Sequence, residues 1–209
     1  MGGHPIRLVV ADDLRRSRLT VLFRYPLSWP LSIWDTLWAA AALLVAVLQW
    51  LYALAVGRPV ARLHAFQARF LHFHAHANAY LRLVANPYPH FAGDAGDYPV
   101  DVEVDGPGTQ RRWTVALRAI LAVPALVLTS VFQTVGLVMA VVSWCVALPL
   151  GRLPRGLRDL GAFLLRYELQ TLAYLLVVTD HYPALAAPIP RGPVELEPPT
   201  RPPLVGEYV

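Results

Sequence analysis

The chain has 209 residues, of which 56% are apolar and 15% charged, and its mean hydropathy is +0.44. That balance excludes a disordered chain, a collagen-like fibre and a disulfide scaffold, and it is too apolar for an ordinary soluble domain. The net charge is +4, and every one of the 18 cations is Arg. These Arg residues flank apolar runs instead of forming one basic face, so anionic membrane lipids are the expected counter-ions and nucleic acid is not an expected partner.

The expectation is therefore a mainly α integral membrane protein. Lys is absent while Ala, Val, Leu and Pro abound, a usage that points to a GC-rich bacterium; with two long apolar runs, 25–56 and 119–150, multi-pass residence in its cytoplasmic membrane is expected. Cys145 is the one cysteine and lies in an apolar run, so neither an intrachain disulfide nor a cysteine zinc site is expected. The first 26 residues hold no apolar segment ending in a cleavage site, and the first long apolar run is expected to act as an uncleaved anchor.

Sliding the chain on itself by about 94 residues aligns two halves without a gap, with roughly 25 identities in about 86 pairs. Pro5 falls on Pro99, Arg18 on Arg112, Arg24 on Arg118, Pro30 on Pro124 and Trp50 on Trp144. Gly57-Arg58 falls on Gly151-Arg152, Tyr80-Leu81 on Tyr174-Leu175 and Tyr88-Pro89 on Tyr182-Pro183. The chain reads as a tandem duplication, with unit 1 over 4–93 and unit 2 over 98–184.

Each unit opens on an alternating stretch, 5–10 or 99–104, which predicts a short strand. Asp105-Gly106-Pro107-Gly108 then marks a turn in the second copy, with Asp12-Asp13 in its place in the first. The Arg-bearing segments 14–24 and 110–118 are expected at the headgroups, with their guanidinium groups in water. The apolar runs 25–56 and 119–150 follow as transmembrane helices, with Trp29, Trp34, Trp38, Trp50 and Trp144 as an aromatic belt. Pro30 and Pro124 mark the start of each span or an early kink.

Gly57-Arg58-Pro59 and Gly151-Arg152 with Pro154 stop these helices. Third segments, 62–85 and 157–178, have helical patterns but carry Arg62, His64, Arg69, His72, His74, His76 and Arg82 in one copy and Arg158, Asp159, Arg166 and Glu168 in the other. Both are read as amphipathic helices lying in the interface. Asn86-Pro87-Tyr88-Pro89 and Asp180-His181-Tyr182-Pro183 end them as turns. Residues 185–209, with seven prolines, read as a disordered tail.

Arg stands on both sides of each apolar run, so the positive-inside rule assigns no orientation. A run of about 32 residues extends about 48 Å as one helix, too long for one perpendicular span and too short for two. A tilted or kinked crossing per unit is the simpler arrangement, with the two opening strands on opposite faces of the membrane and unable to pair. A re-entrant hairpin, or a crossing third segment giving four spans, is the alternative.

His72 and His76 are spaced to project from one helical face as zinc-binding pairs do, with His64, His74 and His90 nearby. The second copy has Arg166, Glu168 and Gln170 where the first has His72, His74 and His76, and no carboxylate completes a His-Glu-x-x-His pattern. The group is read as the polar face of an interfacial helix, and no metal or cofactor is expected. Arg24, Arg58, Arg118, Arg152, Arg155 and Arg166 are candidates to hold lipid headgroups or a partner protein. Asp35, His72, His76 and Glu168 are weaker polar-site candidates, as ionisable groups among apolar surroundings. There is no phosphate-binding loop, nucleophile elbow or dinucleotide fingerprint, and no catalytic residue is assigned.

Tyr98-Pro99-Val100, Arg112-x-Thr114-x-x-x-Arg118, Gly151-Arg152-x-Pro154-Arg155-Gly156 and Tyr174-Leu175 leading to Thr179-Asp180-x-Tyr182-Pro183 follow one another in a specific order and spacing. In this the chain resembles a bacterial family of membrane proteins, the domain of unknown function 4389, present as two tandem copies. Copy one departs, with Arg58-Pro59-Val60-Ala61-Arg62 after its span. The resemblance implies membrane residence and no known activity. A non-enzymatic accessory or scaffold that binds lipids or membrane partners, or a homo-oligomer, is the favoured expectation. A small lipid-handling enzyme or transporter using the polar face of the third segments is the alternative.

Overall fold

A computed structural model describes residues 4–11, 14, 16–96, 98–108, 110 and 112–185. The expected tail, 185–209, falls outside them apart from Leu185. The elements are β1 (Ile6–Val10), α1 (Arg18–Leu22), α2 (Arg24–Val56), α3 (Ala61–Leu81), β2 (Val100–Val104), α4 (Arg112–Leu150) and α5 (Arg155–Leu175). α2 and α4 are long and apolar enough to cross a membrane. The duplication shows in these bounds, since β1, α3 and the end of α2 each recur as β2, α5 and the end of α4. One difference lies at the start of the long helix. Phe23 takes a non-helical conformation that separates α1 from α2, whereas α4 runs unbroken from Arg112.

β1 and β2 pair antiparallel, with Ile6 opposite Val104, Leu8 opposite Val102 and Val10 opposite Val100. Leu8 therefore faces its own counterpart, and a pseudo-twofold axis passes between them, normal to the ladder. This overturns the expectation of strands held on opposite membrane faces. The alternating pattern supplies the reason. Ile6, Leu8, Val10, Val100 and Val102 are buried on α3 and α5, each worth about 1.5–3 kcal/mol, and only the paired sheet presents them on one face.

α3 doubles back along α2. Arg24 at the start of α2 meets Tyr80, Asp35 meets His74, and Ala42 meets Gln67, so the two run antiparallel. α3 and α5 are antiparallel as well, since His74 meets Glu168 and Val84 lies against Gly161. The result is three layers: the sheet on top, α3 and α5 beneath it, and α2 and α4 below them. The third segments, expected to lie on an interface, form the buried middle layer, while α2 and α4 leave a broad apolar surface open. Ile33, Leu37, Leu44, Leu48, Ile120, Val127, Leu137 and Val138 are all exposed.

The units are stitched to each other reciprocally. Gly57 and Gly151 end their helices at φ +81 and +63, a left-handed conformation that glycine adopts without a Cβ penalty. Their carbonyls accept from the backbone of the other unit, Gly57 from Gln110 and Gly151 from Arg16, both at 3.0 Å. The Trp50 indole donates to the Val115 carbonyl at 2.6 Å, and the Trp144 indole to Val21 at 2.9 Å. Trp38 stacks on Phe73. Of the expected aromatic belt, Trp29 and Trp34 are exposed, whereas Trp38, Trp50 and Trp144 are packing and tethering residues.

Candidate functional site

The Arg candidates divide by depth. Arg24 and Arg118, the first at 1% and the second at 2% exposure, play one structural role in duplicate. Arg24 donates to the carbonyls of Tyr80 at 2.6 Å and Ala85 at 3.1 Å, and Arg118 to those of Tyr174 at 2.5 Å and Thr179 at 3.1 Å. Each guanidinium also lies over the tyrosine ring of its own unit. Both reinforce the last carbonyls of α3 and α5, which also accept from the backbone of Leu83 and Val177, and both satisfy a carbonyl of the turn beyond, so neither reaches a headgroup. Arg16, in a segment expected at the headgroups, is likewise buried on the carbonyls of Leu83 and Val84. Arg166 is buried too and donates to the Leu185 carbonyl. Arg58, Arg152 and Arg155 remain exposed where the chain turns from the outer to the middle helix layer, and they alone of the six keep the expected availability to anions.

The weaker polar candidates fall into two clusters. The first lies beside the pseudo-twofold axis, where His74 and its counterpart Glu168 meet at 3.6 Å. The His74 ring lies 3.0 Å from the Asp35 carboxylate. Glu168 also accepts from Arg82 at 2.5 Å and from Gln133 at 2.8 Å. Burial disfavours the charged His74 ring, but its bonds to Asp35 and Glu168 prevail and raise its pKa to about 9. Burial also works against ionised Glu168, yet the bond from His74 and the nearby Arg82 hold its carboxyl at about 2. The paired charges thus stabilise one another in a buried setting. They form the floor of a groove of about 370 Å³, with α2 and α4 as walls contributing Ser32, Thr36, Gly136 and Leu137. Neither His74 nor Arg82 was singled out as a site residue, because only the crossing of α3 over α5 brings them to Glu168.

The second cluster is His72, His76 and Asp101. The His72 Nδ1 lies 2.7 Å and the His76 Nε2 3.1 Å from the same oxygen, Asp101 Oδ1. The backbone N–H of Gly96 donates to Oδ2 at 2.5 Å and that of Val102 to Oδ1 at 2.8 Å. Burial pushes the Asp101 carboxyl up, and the two His bonds and two backbone bonds outweigh it, holding the group well below the usual carboxylate range. Tyr98 packs its ring 4.7 Å from that of His76. The carboxylate missing from the helix pattern thus comes from β2 in the other unit. Its sequence position signalled nothing, since Asp101 is simply one of two acidic residues at alternating positions of a strand.

Comparison with known proteins gives one match. The model of the domain of unknown function DUF4389 matches residues 18–93 and 112–186, the two tandem units. No curated protein and no solved structure matches the chain. The matched residues make up more than half of the chain, which therefore belongs to the DUF4389 family.

Proposed function

We propose that this protein is a non-enzymatic accessory or scaffold protein of the bacterial cytoplasmic membrane, embedded through the open faces of α2 and α4 and offering its sheet layer to partners. The layering carries this reading. Large exposed apolar side chains line the two outer helices, in far greater area than a soluble monomer tolerates, and the sheet lies on the opposite side of the α3–α5 layer.

The same layering favours helices that lie along the bilayer in place of the multi-pass crossing expected from the sequence. The strands pack near the middle of α3 and α5, where Asp101 meets His72 and His76 and Gln170 donates to the Ile6 carbonyl. Were the helices to cross, the sheet would sit near the bilayer centre with the exposed Arg7–Glu103 ion pair and both strand edges in hydrocarbon, which costs several kcal/mol per unsatisfied group. At 33 and 39 residues, α2 and α4 extend about 50 and 58 Å, beyond a core of about 30 Å. Laid flat, with the pseudo-twofold axis along the membrane normal, they bury the apolar face and leave the sheet in water. Arg58, Arg152 and Arg155 then meet anionic headgroups.

Single cysteines in a Cys145→Ser background test this reading. At Arg7, Asp94 and Asp105 they are expected to react with an impermeant reagent from one side of the membrane only. At Ile33, Leu44 and Leu51 an environment-sensitive label is expected to report one common depth. A profile deepest at Leu44, or opposite sidedness at Asp94 and Asp105, overturns the flat arrangement, and recovery of the chain as a soluble monomer overturns membrane residence. The groove over Asp35, His74, Arg82 and Glu168 favours a second reading, a small lipid-handling enzyme or transporter. Loss of lipid turnover or transfer on Glu168→Gln, with binding to vesicles kept, would establish it in place of the first.

A further inference from the structure

We propose that His72, His76 and Asp101 form a binding site for a divalent transition metal ion of the zinc class. The site is independent of how the outer helices meet lipid. His72 and His76 sit one turn apart on α3, so their rings project from the same face. Asp101 reaches them from β2, and one ligand atom from each of the three residues lies within 4.8 Å of the others. Two imidazoles and a carboxylate are a donor set for zinc and its first-row neighbours, with the remaining positions left to water. With metal–ligand bonds of about 2.0–2.2 Å, neighbouring donors in a tetrahedral site stand roughly 3.3 Å apart. His76 and Asp101 already stand 3.1 Å apart and His72 and Asp101 2.7 Å, so these pairs open by roughly half an ångström or less to admit an ion, while the two imidazole donors, within 4.8 Å of each other, draw together.

The shell around these donors is the kind that orients metal ligands. The backbone N–H groups of Gly96 and Val102 fix both oxygens of Asp101, and the Tyr98 ring packs against His76 while its hydroxyl is anchored on the Pro87 carbonyl. Side-chain exposures of 10% for His72 and 19% for Asp101 leave an edge for an ion and its water to enter, while His76 at 3% is enclosed.

The second copy shows that the fold does not need this set for packing. The counterparts of His72, His76 and Asp101 are Arg166, Gln170 and Arg7. There a neutral side chain ties helix to strand, with Gln170 donating to the Ile6 carbonyl at 3.2 Å and accepting from the Ala184 backbone at 3.0 Å. The two imidazoles and the carboxylate are thus particular to one copy, and the packing of helix on strand does not call for them.

The test uses the full chain in mild detergent, stripped with a chelator and titrated with Co²⁺ and then Zn²⁺. One equivalent of Co²⁺ is expected to bind with visible absorption bands that Zn²⁺ abolishes, and Zn²⁺ is expected to raise the melting temperature. His72→Ala, His76→Ala and Asp101→Asn are each expected to weaken binding by about 100-fold or more, because even residues behind the ligands cost 10–100-fold. His90→Ala and His181→Ala, at exposed positions, are expected to bind normally. Should the single variants fail to fold, the triple variant His72→Arg, His76→Gln, Asp101→Arg copies the second unit and is expected to fold without binding. Binding that persists in that variant marks an adventitious ion only. That result, or wild-type binding well short of one equivalent, overturns the proposal.

Discussion

The two copies share their folding determinants and differ in their polar chemistry. Arg24 over Tyr80 and Arg118 over Tyr174 make the same contacts at nearly the same distances, and Trp50 and Trp144 tether opposite units in the same way. By contrast, Asp35, His74 and Arg82 correspond to Thr129, Glu168 and Leu176, and the His72–His76–Asp101 set corresponds to Arg166, Gln170 and Arg7. Duplication preserved what holds each hairpin together. Diversification occurred where the copies meet and where the sheet covers the helices, which is where two equivalent positions face one another and identical charges would repel.

The largest effects should test the shared framework. Arg24→Ala and Arg118→Ala each remove at least two buried charge-assisted hydrogen bonds and leave a large void, and each is expected to cost about 4 kcal/mol. Thermal unfolding in detergent checks this, and costs differing by more than about 1.5 kcal/mol, roughly the reach of a single hydrogen bond, would break the equivalence of the copies.

The diverged axis comes next. Glu168→Gln leaves Arg82 without its buried counter-ion and is expected to cost about 3 kcal/mol. It also alters the dependence on pH. Because the folded His74 value is raised from 6.5 to about 9, its contribution is complete below 6.5 and is lost as pH climbs through 9. Glu168, lowered from 4.5 to about 2, contributes fully above 4.5 and loses that contribution as pH falls through 2. Wild-type stability from this cluster is therefore greatest between these limits, pH 4.5 to 6.5. In Glu168→Gln the alkaline loss should move to lower pH, as read from melting temperature across pH 5 to 10, and an unchanged alkaline limb would show that Glu168 does not hold the His74 proton.

Smaller changes sharpen the contrast. A Cβ at Gly161 would lie 2.8 Å from Val84 and 3.1 Å from Met139, whereas at Gly136 it would meet Arg82 at an ordinary 3.5 Å. Gly161→Ala is accordingly expected to destabilise by about 2 kcal/mol and Gly136→Ala by less than about 0.5 kcal/mol. Their counterparts, Gln67 and Ala42, instead join by a hydrogen bond, so α5 has come to depend on glycine at a position where α3 does not. Trp50→Phe and Trp144→Phe each remove one indole bond to the other unit and are expected to cost about 1 kcal/mol apiece. Additive losses in the double variant would show two independent tethers, and a marked excess would show one cooperative interface.

The duplication, both strands, the two long apolar helices and the third helical segments were all legible in the sequence, to within a few residues except at the start of α4, which begins at Arg112, seven residues before the apolar run. Period two, period 3.6 and Gly-Pro punctuation are local signals, and a self-alignment needs no coordinates. Depth was not legible. Arg24, Arg118 and Arg166 resemble anchors in a linear reading because a guanidinium beside an apolar run has the same sequence signature whether it faces phosphate or caps a buried helix end. His74 and Glu168 lie far apart along the chain, and their meeting depends on α3 crossing α5. Asp101 joins His72 and His76 because β2 pairs with β1 and settles over the other unit's helix. Sequence alone therefore determined the units and their local structure, since each is specified by neighbours a few residues away. The tertiary structure decided which charges are buried, which partner each one finds and on which side the strands lie, because those outcomes depend on the pseudo-twofold packing of one copy against the other.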